Sequence, residues 1–260
     1  VALSEEELER YSRQLPIIGV EGQAKLKNTS ILVAGAGGLG SAVLYYLTAA
    51  GVGRIIFIDE GLVELSNLQR QILYTVDDIG RSKVTAAYER LRRLNPNVLL
   101  EPVQASITRE LLDEVMQRVD IVVDALDNWE TRFTLDEAAW RHGKPLVHAG
   151  VGEHYGQLTV IIPGKTPCLR YLFHGVRARE KGRVIVMPHI PGLLGLLEVN
   201  EVFKLILGYG DVMAGRILLF NAKAPSIEVI EVKCGDFEKH CGKPGAVVEG
   251  LSHPSQGLQA

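Results

Sequence analysis

Two short apolar runs, 30–35 and 54–59, flank a stretch at 41–51 filled with small and apolar residues. Strand-length runs on either side of a helix-length segment predict a βαβ unit with a crossover helix. The alternation continues: a helix carrying Lys and Arg over 81–94, a strand over 98–103, a helix over 108–118, a buried strand over 120–124. A helix over 130–143 and a strand starting at 145–149 follow. Near the N-terminus, Ser4 before Glu5, Glu6 and Glu7 predicts a helix start with acids in its first turn.

After Gly150 the pattern changes. Residues 155–163 (YGQLTVIIP) and 216–221 (RILLFN) alternate or run apolar, and 226–232 alternates strictly. These predict antiparallel strands added to a parallel sheet. A long irregular stretch, 164–190, and a buried helix, 192–208, lie between them. The expected fold class is α/β, a Rossmann-like, mostly parallel sheet continued by antiparallel strands in the C-terminal half. No repeat or clear linker divides the chain, so 1–241 is expected to be one domain. Residues 242–260, rich in Gly, Pro, Ser and Gln, are expected to form a disordered tail.

Bulk composition narrows the picture only slightly. A chain of 260 residues, 47% hydrophobic and 23% charged, is an ordinary globular protein with room for a large core. A net charge of −3 gives no strong nucleic-acid signal. No apolar stretch approaches the roughly 20 residues of a membrane helix, so no membrane partner is expected. The opening VALSEEELERYSRQL is charged and helix-like, unlike a secretory signal, and three cysteines make no disulfide framework. A cytoplasmic setting is expected.

The chemistry starts at 31–40, ILVAGAGGLG. A strand that turns tightly into a helix presents backbone N–H groups to a phosphate. Glycine suits position 35 for the turn, 37 for close phosphate approach and 40 for helix–strand packing. Alone, this motif serves NAD, FAD, S-adenosylmethionine and ATP alike. Asp59, ending the second strand, is placed to hydrogen-bond ribose hydroxyls, or else to cap the next loop.

The segment LSNLQRQ at 65–71 has no role in a plain dinucleotide site. Arg70 offers a planar fork suited to phosphate oxygens, and Asn67 a polarising amide, unless the segment is only a polar helix surface. Lys83 would add a point charge to the same phosphates. Asp124 and Asp127 follow a buried strand at the edge where open α/β sheets place ligands. An acid there, facing a triphosphate, suits Mg²⁺, which shares oxygen donors with phosphate. One of Asp127 and Asn128 is equally placed to cap the helix that follows.

Together these segments resemble the E1-like adenylyltransferases that activate ubiquitin-like proteins, the MoeB/ThiF/HesA family. The matching pieces are YSRQL at 11–15, GAGGLG at 35–40, IDEGLVELSNLQRQ at 58–71, GRSK ending at Lys83, and DALDNWETR at 124–132. The resemblance implies that ATP and Mg²⁺ bind and that a small sulfur carrier's C-terminal glycine attacks the α-phosphate, giving an acyl-adenylate and pyrophosphate. It implies that Gly35, Gly37, Gly38 and Gly40 cradle the nucleotide while Asp59 holds the ribose. Asn67, Arg70 and Lys83 would neutralise the phosphates and Asp127 would hold Mg²⁺. Arg13 resembles an arginine that reaches the neighbouring protomer's phosphates, so activity would require a homodimer.

The chain departs from this family in three places. Many members hold a structural zinc with two C-x-x-C pairs. Here those pairs read Cys168-Leu-Arg-Tyr171 and Glu238-Lys-His-Cys241, so no intact zinc site is expected. Cys168 and Cys241 with His240 or Cys234 leave a poor site open; the other reading is that packing replaces the metal, with or without a Cys168 pairing. Second, residues 173–190, the loop expected to cross the active site, contain no cysteine. Covalent capture of the acyl group there is unavailable, and a separate sulfur donor is expected. Third, Gly61 stands where relatives commonly carry a second acid. His148, His154, His174 and His189 lack metal-ligand spacing and are assigned no role.

The rival enzyme class is an NAD-dependent dehydrogenase, which leaves SNLQRQ, Lys83 and DALDN unexplained. A relative that activates a tRNA or a peptide carboxylate shares the same first step. An inactive scaffold is disfavoured by the retention of Arg13, Asn67, Arg70, Lys83 and Asp127.

Overall fold

A computed structural model describes residues 3–176, 185–224, 227–232 and 241–244. The expected disordered tail lies almost wholly outside these residues. Ser4 caps α1 (Glu5–Arg10) in a reciprocal capping box with Glu7. A second helix, α2 (Leu15–Asn28), was not anticipated; it starts at Pro16 and breaks at Gly19, where φ is +69°.

The alternation then follows: β1 (Ser30–Ala34), α3 (Gly38–Ala49), β2 (Arg54–Ile58), α4 (Lys83–Leu94), β3 (Leu99–Val103), α5 (Arg109–Met116), β4 (Ile121–Asp124), α6 (Trp129–Arg141) and β5 (Leu146–Gly152). The C-terminal half adds β6 (Tyr155–Ile161), a short α7 (Leu169–Leu172), α8 (His189–Leu207), β7 (Arg216–Asn221) and β8 (Ile227–Glu231). Helix α7 falls within the stretch expected to be irregular.

The eight strands among the described residues form one sheet in the order β3-β2-β1-β4-β5-β6-β7-β8. Pairing is parallel from β3 through β5 and antiparallel from β5 through β8, as the change after Gly150 predicts. The central strands are apolar on both faces because helices cover both. Ile31 and Val33 of β1 enter a core shared with α3, α4 and α8. Leu32 and Ala34 enter the other, shared with α5, α6 and Leu169 of α7.

The chain passes from β1 outward to β2 on one side and later returns to β4 on the other. The carboxyl ends of β1 and β4 therefore diverge, which is where open α/β sheets leave a crevice for ligands.

Candidate functional site

Gly35 ends β1 with φ +100°, and a Cβ there would stand 2.6 Å from the Ala125 carbonyl oxygen of the neighbouring strand end. A Cβ on Gly40 would collide with the Gly35 carbonyl. Only glycine at both places lets the turn fold tightly and α3 seat against it. Gly37 differs: a Cβ there would meet only Gln71 Nε2 at 3.9 Å. The protein's own packing therefore leaves space open over Gly37. The first N–H groups of α3 open beside it and make a site for an anion.

A cleft of about 350 Å³ lies over this turn, lined by Gly35, Gly37, Gly38, Asp59, Arg70, Lys83 and Asp127. Seven expected residues thus meet in one place. Asp59 is fixed by two backbone donors, Ala36 N–H and Gly61 N–H, each at 2.8 Å. Lys83 Nζ lies 4.0 Å from the Asp59 carboxylate. Gly61 keeps this meeting open, because a Cβ there would stand 3.0 Å from Asp59 Oδ1 and 3.2 Å from Lys83 Nζ.

The LSNLQRQ segment begins with a 3-10 turn over Leu65–Asn67 rather than forming a helix surface. Arg70 reaches the cleft with Nη1 donating to the Ser66 carbonyl at 3.1 Å. Asn67 does not line the cleft. It is buried, and its Oδ1 accepts the Glu64 N–H at 3.1 Å, so its amide closes the local turn. Gly40 likewise lies behind the lining and acts through packing. Arg13 is exposed and is absent from the cleft.

Asn128, not Asp127, caps α6: its Oδ1 accepts the Thr131 N–H at 2.9 Å. Asp127 is left exposed at the rim, free to face a ligand. It is the hinge to a second cavity of about 430 Å³, with which the cleft shares Asp127 and Val151. The walls of this second space carry Arg132, Gly150, Gly152 and Gly156, with Leu219 and Phe220 of β7.

Arg132 and Gln71 are site residues that the sequence placed inside matching strings without giving them a role. Gln71 is buried under the glycine turn, and its Oε1 has no hydrogen-bond partner among the described residues. Arg132 is 5% exposed and stacks over Trp129, its guanidinium carbon 5.3 Å from the ring centroid. Its Nη2 donates to the Leu126 carbonyl.

Residues 185–187 return beside the β5–β6 turn, with Glu153 N–H donating to Ile185 O at 2.7 Å and Met187 N–H donating to Glu153 O at 2.9 Å. Val186 and Pro191 close one side of the cleft over the glycine turn. The middle of the expected crossing loop, 177–184, is outside the described residues.

Cys168 and Cys241 are joined in a disulfide, with Cα atoms 5.9 Å apart. Cys234, Glu238 and His240 fall outside the described residues, so the other candidates for a zinc site are not placed. Among the described residues no group of three or more His, Cys, Asp or Glu side chains is arranged to hold a metal ion. No helix among them is long and apolar enough to cross a membrane.

The sequence and the fold have counterparts among known proteins. The SAMP-activating enzyme E1 of Haloferax volcanii is 37% identical over 253 residues, spanning 94% of this chain and 93% of that protein. The sulfur carrier protein adenylyltransferase of Thermus thermophilus is 40% identical over 268 residues, spanning 92% of this chain and 98% of that protein. The crystal structure of E. coli MccB with MccA-N7isoASN shares the fold, with a TM-score of 0.82 at 22% identity over 94% of this chain and 76% of that one. The family model described as the ThiF family matches residues 11–243, and the chain belongs to that family.

Proposed function

We propose that this protein uses ATP to adenylate the C-terminal glycine of a small ubiquitin-like sulfur-carrier protein, releasing pyrophosphate. The observation that carries this reading is the junction at Asp127 of two cavities with different chemistry. One has a glycine turn, a helix N-terminus and two cations. The other has glycine-lined walls and a guanidinium.

The nucleotide lies over Gly35, Gly37 and Gly38 with its ribose at Asp59. An extended Gly-Gly tail enters the second cavity, where Gly150 and Gly152 leave room for a bare backbone, and its carboxylate meets Arg132. One carboxylate oxygen attacks the α-phosphorus, the bond from that phosphorus to the bridging oxygen breaks, and pyrophosphate leaves with the electron pair.

An anion approaching a polyanion is repelled, and charge grows on the leaving group. Arg70 and Lys83 answer both, each such cation being worth several kcal/mol by order of magnitude in a water-poor cleft. Asp127, exposed at the rim of the cleft, is the oxygen donor that would hold Mg²⁺, an ion that favours carboxylate, phosphate and water oxygens. Bound there, Mg²⁺ would supply further neutralisation of the phosphates.

Arg13, exposed on the turn between α1 and α2, is read as reaching the cleft of a second copy, so the working unit is a homodimer. The crossing loop has no cysteine, so the adenylate passes to a separate sulfur donor. Molybdopterin, thiamine and thiolated tRNA are the products this chemistry serves, in a cytoplasmic setting. Residues 1–241 are read as a single adenylation domain, with 242–260 as a tail.

The test is ATP–pyrophosphate exchange with candidate carriers ending in Gly-Gly. Exchange that requires the carrier and its terminal glycine supports the reading. No exchange with any such carrier, together with NAD binding, overturns it; exchange driven by a short peptide instead identifies a peptide-activating enzyme.

A further inference from the structure

His148, given no role by its sequence context, lies at the centre of a buried polar group beneath the second cavity. It is the register partner of Asp124 across β4 and β5, and both side chains are fully buried. His148 Nδ1 lies 2.7 Å from Asp124 Oδ2. The other oxygen, Oδ1, accepts the Leu126 N–H at 3.1 Å and lies 3.9 Å from Arg132 Nε. Arg132 returns to Leu126 by donating to its carbonyl, which closes a ring of three residues on one side of the carboxylate. His148 holds the other side. Trp129 and Phe173 seal the imidazole, with ring centroids 5.7 and 5.6 Å away.

Burial opposes ionisation of Asp124, but the Arg132 charge and the His148 hydrogen bond outweigh it and hold the carboxyl below its usual range. Burial pushes the His148 imidazole down, with Arg132 adding to the effect against Asp124. A neutral imidazole beside an acceptor-only carboxylate carries its proton on Nδ1. Its Nε2 has no hydrogen-bond partner among the described residues. Two further acids face the group: Glu198 of α8, pushed well up by burial, and Asp136 of α6, pushed up to about 7 by the same cause.

We infer that Asp124 and His148 are positioning residues for adenylation: the imidazole fixes the carboxylate, and the carboxylate fixes the Arg132 guanidinium at the cavity wall. This rests on the reading of Arg132 as the group that meets the carrier's terminal carboxylate. Without the imidazole, Asp124 Oδ2 is a buried charged acceptor with no donor. The charged donor already beside this carboxylate is Arg132, whose Nη1 would stand 3.1 Å from a Cβ on Gly150 and so borders the cavity. Drawn inward to serve both carboxylate oxygens, that fork leaves the wall.

The experiment compares His148→Leu, His148→Gln and Arg132→Lys with the parent protein in carrier-dependent pyrophosphate exchange. His148→Leu should raise the carrier KM about tenfold, the effect of losing one charge-assisted contact, and leave the ATP KM unchanged. His148→Gln, whose amide can donate to Asp124, should restore most of the loss. In the parent, ¹⁵N resonances of His148 should show the Nδ1–H tautomer and no titration near the ordinary value of about 6.5.

Arg132→Lys with an unchanged carrier KM would remove the reading on which this inference stands. Arg132→Lys that raises the carrier KM, beside a folded His148→Leu that does not, overturns the inference alone. So does an Nε2–H tautomer in the parent, which decides the matter even where His148→Leu fails to fold.

Discussion

The Tyr74 hydroxyl donates to the Ala36 carbonyl at 2.8 Å, from the segment after β2 into the heart of the glycine turn. Ala36 N–H is taken by Asp59. Both polar groups of this residue, at the point where phosphate is expected, are thus held by side chains from elsewhere. Burial, with the charges of Asp59 and Asp78, pushes the Tyr74 hydroxyl up, so it stays a donor. Tyr74→Phe leaves a buried carbonyl without its partner and should cost about 1–3 kcal/mol in urea unfolding. It should also raise the ATP KM several-fold while leaving the carrier KM alone. A stability loss with an unchanged ATP KM would make Tyr74 a core residue only.

Asp127 and Asn128 adjoin each other but do different work. Asn128 caps α6 and Asp127 is exposed. Asp127→Ala should therefore stay within about 0.5 kcal/mol of the parent in thermal unfolding, as surface changes usually do. Its exchange activity should fall by about 100-fold or more, the scale of losing a key electrostatic contributor. Asn128→Ala should do the reverse on stability, costing about 1 kcal/mol for the lost cap. Parent-like exchange by Asp127→Ala would show that the site is misassigned.

How much of this was legible in the sequence depends on the distance over which each signal acts. The glycine turn, Asp59 and the crossover helix are encoded within one βαβ unit, where spacing alone constrains geometry. The change from parallel to antiparallel strands was visible because covered strands read as apolar runs while β6 to β8 alternate. The segment around Asn67 was less legible: a polar string does not reveal whether an amide faces a cleft or folds back on Glu64. His148 was illegible. Its partner is set by the β4–β5 register, and a lone histidine in an apolar run reads the same whether it pairs with a carboxylate or not. Helix α2 was missed because Pro16 and Gly19 punctuate it and Ile17 and Val20 are exposed.

The Cys168–Cys241 link joins residues separated by 73 positions and ties α7 to the segment that follows β8. Closing a loop of that length stabilises by about 4 kcal/mol in the chain-entropy picture. Disulfides are unusual in cytoplasmic proteins outside hyperthermophiles, which makes the redox state worth measuring. Protein unfolded without reductant should present one reactive thiol of its three cysteines, and reductant should lower Tm while a chelator does not. The opposite pattern, three reactive thiols and chelator sensitivity, would place a metal between these sulfurs.

Asp136 lies under the same link. Its Oδ2 accepts the Leu169 N–H at 2.8 Å, one residue past Cys168, and burial raises its carboxyl from the ordinary 3.8 to about 7. The folded chain therefore keeps a proton that the unfolded chain releases as pH climbs past 3.8. The contribution to stability is full below that value, declines as pH rises and is lost through about 7. Asp136→Asn keeps an oxygen for Leu169 but has no proton to lose. Relative to the parent it should gain about 3 kcal/mol between about pH 5 and about pH 8, read from urea midpoints at each pH. Parallel pH profiles for the two proteins would mean that Asp136 is ionised in the fold and that its burial is offset by donors other than Leu169.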